Sequence, residues 1–313
     1  MFASVESALL DIVVNINTYL SNYILVFLLV AVGLWYPINT SPHQHLNPSP
    51  ITPSTPQHLN INIHTMDKYG LIGFPLGHSF SISYFNEKFA NEGIKARYIN
   101  YEIPQIEDLK EILASNPELR GLNVTIPYKQ QVIPYLDELS PEARAIGAVN
   151  VIRVTHKNKN VILKGFNSDV IGFTRSIETM LEPCHKKALI LGTGGASLAI
   201  NYGLKSLGLE TLFVSRTKKP GCITYQEVTP ELIKEYNVAV NCTPLGMYPK
   251  ADTCPDLPYE AMDCHTILYD LIYNPDETLF MKKGARYGAN TKNGLEMLLL
   301  QAFASWDFWH SDK

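Results

Sequence analysis

KKALILGTGGAS, residues 186–197, sets an apolar run of β-forming residues directly against a glycine cluster and a small-residue start to the next helix. Glycines at Gly192, Gly194 and Gly195 let backbone approach a ligand closely. A helix opening there offers unpaired N–H groups and the positive end of its dipole, which together suit a pyrophosphate. Against the G-x-G-x-x-G pattern the third glycine is Ser197, small enough for close helix–strand packing. A glycine cluster alone is often only a tight turn; its place between strand and helix gives Gly192, Thr193, Gly194, Gly195 and Ala196 a nucleotide-binding reading.

Working outward, the helix runs to about Leu207 with Gly208 as its stop, and TLFVS (211–215) is the next strand. A fold binding NAD places an Asp or Glu at the end of that strand for the ribose 2′-hydroxyl. Here the chain reads Ser215-Arg216-Thr217-Lys218-Lys219, with no acid. A cation, hydroxyls and two lysines suit a 2′-phosphate, so NADP is the expected cofactor; the plain alternative is a solvated basic turn. NVAVNCTP (237–244) and HTILYDLIY (265–273) supply further strands, and Asn293 to Trp309 a terminal amphipathic helix.

Upstream, residues 68–74, 96–103 and 121–126 read as strands, alternating with helices around Ile82–Phe89 and Gln105–Ser115. Gly93 ends the first of these helices. GAVNVIRV and VILKGF read as two strands joined by the polar loop THKNKN, and a helix from Ser168 to Leu181 links the two halves. Repeated β–α–β units imply parallel sheets with helices on their faces. The expected architecture is α/β: an N-terminal α/β substrate domain (66–167), a Rossmann-like nucleotide-binding domain (168–290), a cleft between them, and a C-terminal segment (291–313) packing back toward the first.

Three polar constellations precede the glycine cluster. If Pro127 opens a helix, Lys129 lies in its first turn, at the unfavourable dipole end for a cation, which suits a group that exchanges a proton; from this segment alone an ordinary surface lysine is the preferred reading. Asn167-Ser168-Asp169 are common helix-capping residues, and the competing reading is a carboxylate that pairs with a lysine and contacts substrate. In His78-Ser79-Phe80-Ser81, two hydroxyls could bind a small carboxylate or cap the following helix, and His78 reads as structural.

Composition excludes other classes. Lys and Arg number 26 against 30 acids, a net charge of −4, which gives no basic footprint for nucleic acid. Five scattered cysteines without a CxxC pair fit reduced thiols in a cytosol-like compartment, and no metal site is expected. Residues 1–65 differ in kind: they hold no Lys or Arg, and only Glu6 and Asp11 as acids. Tyr23–Tyr36 is an uninterrupted apolar run, followed by a spacer with six prolines. A membrane span wants about 20 apolar residues and a signal peptide a basic start; neither is met squarely. The abrupt change of composition favours Met66 as the working start, with 1–65 an extension outside the fold.

The order of motifs resembles the shikimate dehydrogenase family over about Lys68 to Phe303. Gly73–Ser81 resembles its G-x-P-x-x-H-S-x-S loop, Asn123–Lys129 N-V-T-x-P-x-K, Gly147–Asn150 G-A-V-N, and Gly165–Gly172 G-x-N-T-D-x-x-G. Gly192–Ala196, Asn241–Met247 and Gly294–Gln301 resemble G-x-G-G-A, N-x-T-P-x-G-M and G-x-x-M-L-x-x-Q. Departures are Ile82 for a proline, Ser168 for the threonine, and Ser215 for the asparagine before Arg216 and Thr217. The resemblance implies reversible reduction of 3-dehydroshikimate to shikimate with NADPH, by a monomer or homodimer in the cytoplasm, acting on small molecules and not on membranes. It implies Lys129 and Asp169 as catalytic, with Ser79, Ser81, Thr125, Asn150, Asp169, Tyr273 and Gln301 on substrate. The cofactor would take Gly192–Ala196, Ser215, Arg216, Thr217, Thr243, Met247 and Gly294. Competing readings are an NAD-using quinate/shikimate dehydrogenase, a non-catalytic sensor on the same scaffold, and a form tethered through residues 23–36.

Overall fold

The structure is a computed structural model that describes residues 66–311 apart from His78 and residues 158–159. The readings placed on residues 1–65 and on His78 lie outside them.

The first sheet holds β1 (Asp67–Gly73), β2 (Ala96–Glu102), β3 (Leu119–Val124), β4 (Glu138–Leu139), β5 (Val151–Lys157) and β6 (Asn160–Phe166), in the order β2-β1-β3-β5-β6-β4. β1 pairs in parallel with β2 and β3, whereas β3–β5 and β5–β6 are antiparallel. The first sheet is therefore mixed, and the parallel pairing that repeated β–α–β units imply holds in it for β1–β2, β1–β3 and β4–β6. β5 and β6 pair from Val151 with Phe166 out to Lys157 with Asn160, so most of the stretch expected to be a polar loop is strand. Its charged and polar side chains are tolerated because this end of the hairpin is exposed on the sheet surface. Around the sheet lie α1 (Phe80–Asn91), α2 (Leu109–Ser115), the single turn α3 (Tyr128–Gln131) and α4 (Pro141–Ile146). Gly93 follows α1 at φ +64°, a conformation that a residue with a Cβ adopts at a cost.

From β6 the chain passes through α5 (Asp169–Glu178) into the second sheet: β7 (Lys187–Leu191), β8 (Glu210–Ser215), β9 (Cys222–Thr224), β10 (Val238–Asn241), β11 (Ile267–Asp270) and β12 (Asn290–Lys292). Its order is β12-β11-β10-β7-β8-β9 and every pair is parallel. Numbered from β7 this is the doubly wound order 3-2-1-4-5-6, whose direction reverses at β7. The remaining helices are α6 (Gly195–Ser206), α7 (Pro230–Glu235), α8 (Leu279–Ala285) and α9 (Leu295–His310).

β7 shows why its sequence is an unbroken apolar run. Leu189 and Leu191 face one core with Leu268 and Phe280, while Ala188 and Ile190 face another with Phe173 and Ile200. A strand covered on both faces has no polar side to present, and each such side chain contributes about 1.5–3 kcal/mol by leaving water.

α5 and α9 join the two halves. Phe173 and Ile177 of α5 sit in the core of the second sheet. At Gly172 an added Cβ would come within 2.5 Å of the Met297 carbonyl oxygen on α9, and at Gly203 within 2.9 Å of Thr174. α5 thus meets α9 backbone to backbone on one side, while on the other its Thr174 and Phe173 side chains lie against the backbone of α6. Met297 of α9 belongs to the second core, whereas Ala302 and Trp309 pack with Tyr69, Phe85 and Tyr98 of the first. Trp309 donates its Nε1–H to the Ile152 carbonyl at 3.1 Å. Among the described residues no helix is long and apolar enough to cross a membrane.

Candidate active site

The carboxyl ends of the strands in both sheets face a cavity of about 370 Å³. Its first wall comes from the segments after β1 and β3, including Pro75, Ser79, Ser81, Thr125 and Lys129; its second from Ala196, Leu271, Tyr273 and Gly294. Concave sites of this size at strand termini are where small ligands bind in open α/β folds.

At the seam, Lys129 Nζ donates to Asp169 Oδ2 at 2.6 Å. The two side chains are only 15% and 8% exposed, so the pair is shielded yet opens on the cavity. Forty residues separate them in the chain. Two local features bring them together. Pro127 occupies the position before α3 and leaves Lys129 in its first turn. Asp169 is the first residue of α5 and projects from its amino end. A one-turn helix has little dipole of its own, so the Asp169 carboxylate is the dominant field on the ammonium, and the dipole argument drawn from the sequence is secondary.

Asp169 is itself held. Asn150 donates its two Nδ2 hydrogens to Asp169 Oδ1 and to Ser168 Oγ, both at 2.9 Å. Asn150 Oδ1 accepts the Ser168 backbone N–H at 2.6 Å. Ser168 Oγ reaches Ser305 Oγ at 3.0 Å and Gln301 Oε1 at 3.4 Å, and Asn123 donates to Ser305 Oγ at 3.0 Å. Tyr98 closes the chain by donating to Asn123 Oδ1 at 2.8 Å. Burial pushes the Tyr98 phenol far up, and a hydrogen bond from Ser81 acts against that. Buried polar groups connected this completely fix one geometry.

Two residues that the sequence offers as helix caps make no capping bond. Ser168 occupies the capping position of α5, but its hydroxyl makes no capping bond and turns into the network; Asn167 Oδ1 instead accepts the Val170 N–H at 3.2 Å. Ser79 likewise precedes α1 without capping it and lines the cavity.

On the nucleotide side, Gly192 has φ +108°, and the first turn of α6 has no side-chain cap. A Cβ built at Gly194 would meet nothing within 4 Å. Open backbone at the start of a 12-residue helix fits a pyrophosphate. A Cβ at Gly195 would lie 3.1 Å from Lys129 Cβ, so this glycine lets the lysine stem run beside the helix. Ser215 ends β8 buried, while Arg216, Thr217, Lys218 and Lys219 are exposed beyond it, and Lys219 Nζ donates to Thr193 Oγ1 at 2.9 Å. The chain therefore presents cations beside its glycine loop, where a 2′-phosphate needs them. These residues fit NADP.

The cavity brings together Ser79, Ser81, Thr125, Lys129, Asn150, Asp169, Ala196, Tyr273, Gly294 and Gln301. Gly192, Thr193, Gly194, Ser215, Arg216 and Thr217 lie outside it, along the nucleotide edge. Met247 is 48% exposed and also does not line it. Thr243 turns inward: its hydroxyl donates to Asn241 Oδ1 at 2.7 Å and accepts the Leu245 N–H at 3.2 Å. Four polar groups carry no assigned role in the sequence reading: Asn123, Ser305, Asn241 and Asp270. Asn241 and Asp270 each end an otherwise apolar strand, which was the available signal, whereas Asn123 and Ser305 stand in elements that hold other polar residues. Asp270 is fully buried and accepts hydrogen bonds from Asn241 Nδ2, the Ile272 N–H and Thr278 Oγ1 at 3.0, 3.0 and 2.7 Å. Burial pushes its carboxyl up to about 6 despite these three donors.

Comparison with known proteins agrees with this geometry. The family model for the shikimate dehydrogenase substrate binding domain matches residues 71–152. A protein of Desulforamulus reducens named shikimate dehydrogenase (NADP(+)) is 33% identical over 265 residues, 77% of this chain and 88% of the relative. Its namesake in Carboxydothermus hydrogenoformans is 38% identical over 257 residues, 77% of this chain and 90% of the relative. The crystal structure of shikimate 5-dehydrogenase from Thermus thermophilus in complex with NADP(H) and shikimate superposes with a TM-score of 0.68 at 29% identity, covering 79% of this chain and 94% of that one. With two α/β halves, a lysine–aspartate pair between them and relatives matched along nearly their whole length, this chain belongs to the shikimate dehydrogenase family.

Proposed function

We propose that this chain catalyses the reversible NADPH-dependent reduction of 3-dehydroshikimate to shikimate, a step in aromatic biosynthesis, with Lys129 as the proton donor. The observation that carries the reading is the Lys129–Asp169 pair at 2.6 Å, opening on a cavity walled by the strand ends of both sheets. Relatives of the family carry the NADP-dependent name at 33–38% identity.

When bound, NADPH supplies the hydride to the substrate ketone. The ketone oxygen then develops alkoxide character, and Lys129 Nζ gives it a proton; in the reverse direction the neutral amine takes that proton back. Asp169 aims Nζ through Oδ2 and is held by Asn150 through Oδ1. Ser79 and Ser81 bind the substrate carboxylate, and Thr125, Asn150, Asp169, Tyr273 and Gln301 its hydroxyls and the carboxylate edge. Gly192–Ala196 hold the pyrophosphate, Ser215, Arg216 and Thr217 the 2′-phosphoribose end, and Thr243, Met247 and Gly294 the nicotinamide side. In this reading residues 66–167 serve the substrate, 168–290 the nucleotide and 291–313 the return to the substrate side, in a cytoplasmic enzyme of one or two subunits.

The test is a spectrophotometric assay of shikimate oxidation with NADP and with NAD, and with quinate in place of shikimate. Shikimate with NADP is expected to be the best pair. Absence of turnover with any pair would overturn the enzymatic reading, and a preference for NAD or for quinate would overturn the assignment of cofactor or substrate.

A further inference from the structure

We propose that Glu182, Cys184 and His265 form a site for a divalent transition metal of the zinc type, at the edge of the second sheet opposite the cofactor loops. Two turns build it. Glu182-Pro183-Cys184-His185 leads into the amino end of β7, and Asp263-Cys264-His265 into that of β11. These two strands flank β10, so the turns meet although His185 and His265 are 80 residues apart.

One carboxylate oxygen, one thiol sulfur and one imidazole nitrogen lie within 4.8 Å of one another. Cys184 Sγ and Glu182 Oε2 are 3.9 Å apart. Bonds of about 2.0–2.3 Å in a tetrahedral zinc site place ligand atoms roughly 3.3–3.8 Å apart. All three side chains are exposed, so small rotamer changes close the remaining gap. The donor set is selective. A thiolate with an imidazole and a carboxylate suits zinc or cobalt, whereas calcium and magnesium prefer all-oxygen cages.

His185 supplies the second argument. Its Nδ1 accepts the Glu182 backbone N–H at 2.8 Å, so the ring proton sits on Nε2, which donates to the His265 carbonyl at 3.0 Å. This buried imidazole ties the backbone of one ligand to that of another and holds the two turns in register before any metal arrives. Asp263 Oδ1 accepts the His265 N–H at 2.8 Å and steadies the second turn. On binding, Cys184 releases its thiol proton to solvent and His265 coordinates as the neutral ring. Three protein ligands leave one position for water.

The test uses the full chain titrated with Co(II), followed by displacement with Zn(II). The expected spectrum has a thiolate-to-cobalt charge-transfer band and the ligand-field bands of a tetrahedral ion, saturating at one equivalent and lost on adding zinc. Histidines of residues 1–65 can bind cobalt but produce no thiolate band, and the Cys184 variant separates this site from the exposed Cys264. Cys184→Ala should abolish that band, and Glu182→Gln should weaken binding. His265→Ala should weaken cobalt binding by more than the roughly 10–100-fold that losing an outer hydrogen-bond partner costs. Because all three residues are exposed, these variants should fold normally. Absence of the band, its survival in Cys184→Ala, or a wild-type titration in His265→Ala would each overturn the proposal.

Discussion

Replacing Lys129 by Ala probes the chemistry and the electrostatics of the site together. The substitution removes the cation bonded to Asp169, whose side chain is 8% exposed. Breaking a buried ion pair by deleting one partner costs about 3–5 kcal/mol in a sealed interior. Here Asp169 keeps its Asn150 bond at 2.9 Å and faces a cavity that admits water, so the stability loss should fall well below that range. The kinetic loss is separate. Without a positioned acid the alkoxide must be protonated by solvent, and general acid catalysis is worth ~10²–10⁴ in rate. Lys129→Ala should lower kcat by about that factor, with KM for NADP nearly unchanged. Asp169→Asn keeps the shape but loses the anion that aims Nζ, and should impair both kcat and KM for shikimate. Because the two residues act as a unit, the double variant should be little slower than the slower single variant. The assay is initial-rate shikimate oxidation over a matrix of both substrates. Near-normal kcat in Lys129→Ala would remove it from the mechanism, and multiplicative losses in the double variant would show that the two side chains work independently.

Arg216→Ala should raise KM for NADP much more than for NAD; unchanged NADP kinetics would refute the 2′-phosphate role. Gly195→Ala places a methyl group 3.1 Å from Lys129 Cβ, and should lower kcat in the same assay while leaving thermal stability close to that of the parent. Asp270 has its carboxyl raised to about 6 from 3.8, so the folded state holds that proton where the unfolded chain has lost it. Its stabilising contribution is full below about pH 4 and is lost as pH rises through about 6, a change of about 3 kcal/mol. Urea unfolding at pH 4.5 and 7.5 should therefore show an acid-favoured component that Asp270→Asn abolishes. A chain beginning at Met66 should be soluble and fully active; loss of fold or activity would give residues 1–65 a structural role.

The nucleotide half was readable in the sequence because its signals are local. The apolar run 187–191, the glycines after it and the cationic turn after β8 each show their character within a few consecutive residues. The first sheet was harder, since an antiparallel hairpin in exposed surroundings carries polar residues such as Thr155, His156 and Lys157 that resemble a loop. Short elements, among them α7, α8, β9 and β12, span too few residues to show a period. The pairing of Lys129 with Asp169 is nonlocal, and spacing left it undecided; only the ordered motifs pointed to it. Asn123 and Ser305 were hidden for a related reason. Each looks like one polar residue in a core element until the fold sets them 3.0 Å apart.

The glycine contacts of α5 bear on how the cleft can change width. Gly172 brings the backbone of α5 against that of α9, and Gly203 lets the backbone of α6 approach the Thr174 and Phe173 side chains of α5. α9, a rod of 16 residues or about 24 Å, anchors one end in each core. Among the described residues the chain leaves the first sheet at Asn167–Ser168 and returns through α9, which spans both cores. The Asn167–Ser168 crossing stands directly before Asp169, the first residue of α5. A movement there would swing the carboxylate against Lys129, so the spacing of the proton-transfer pair would act as a mechanical gauge of whether the two halves have closed on their ligands.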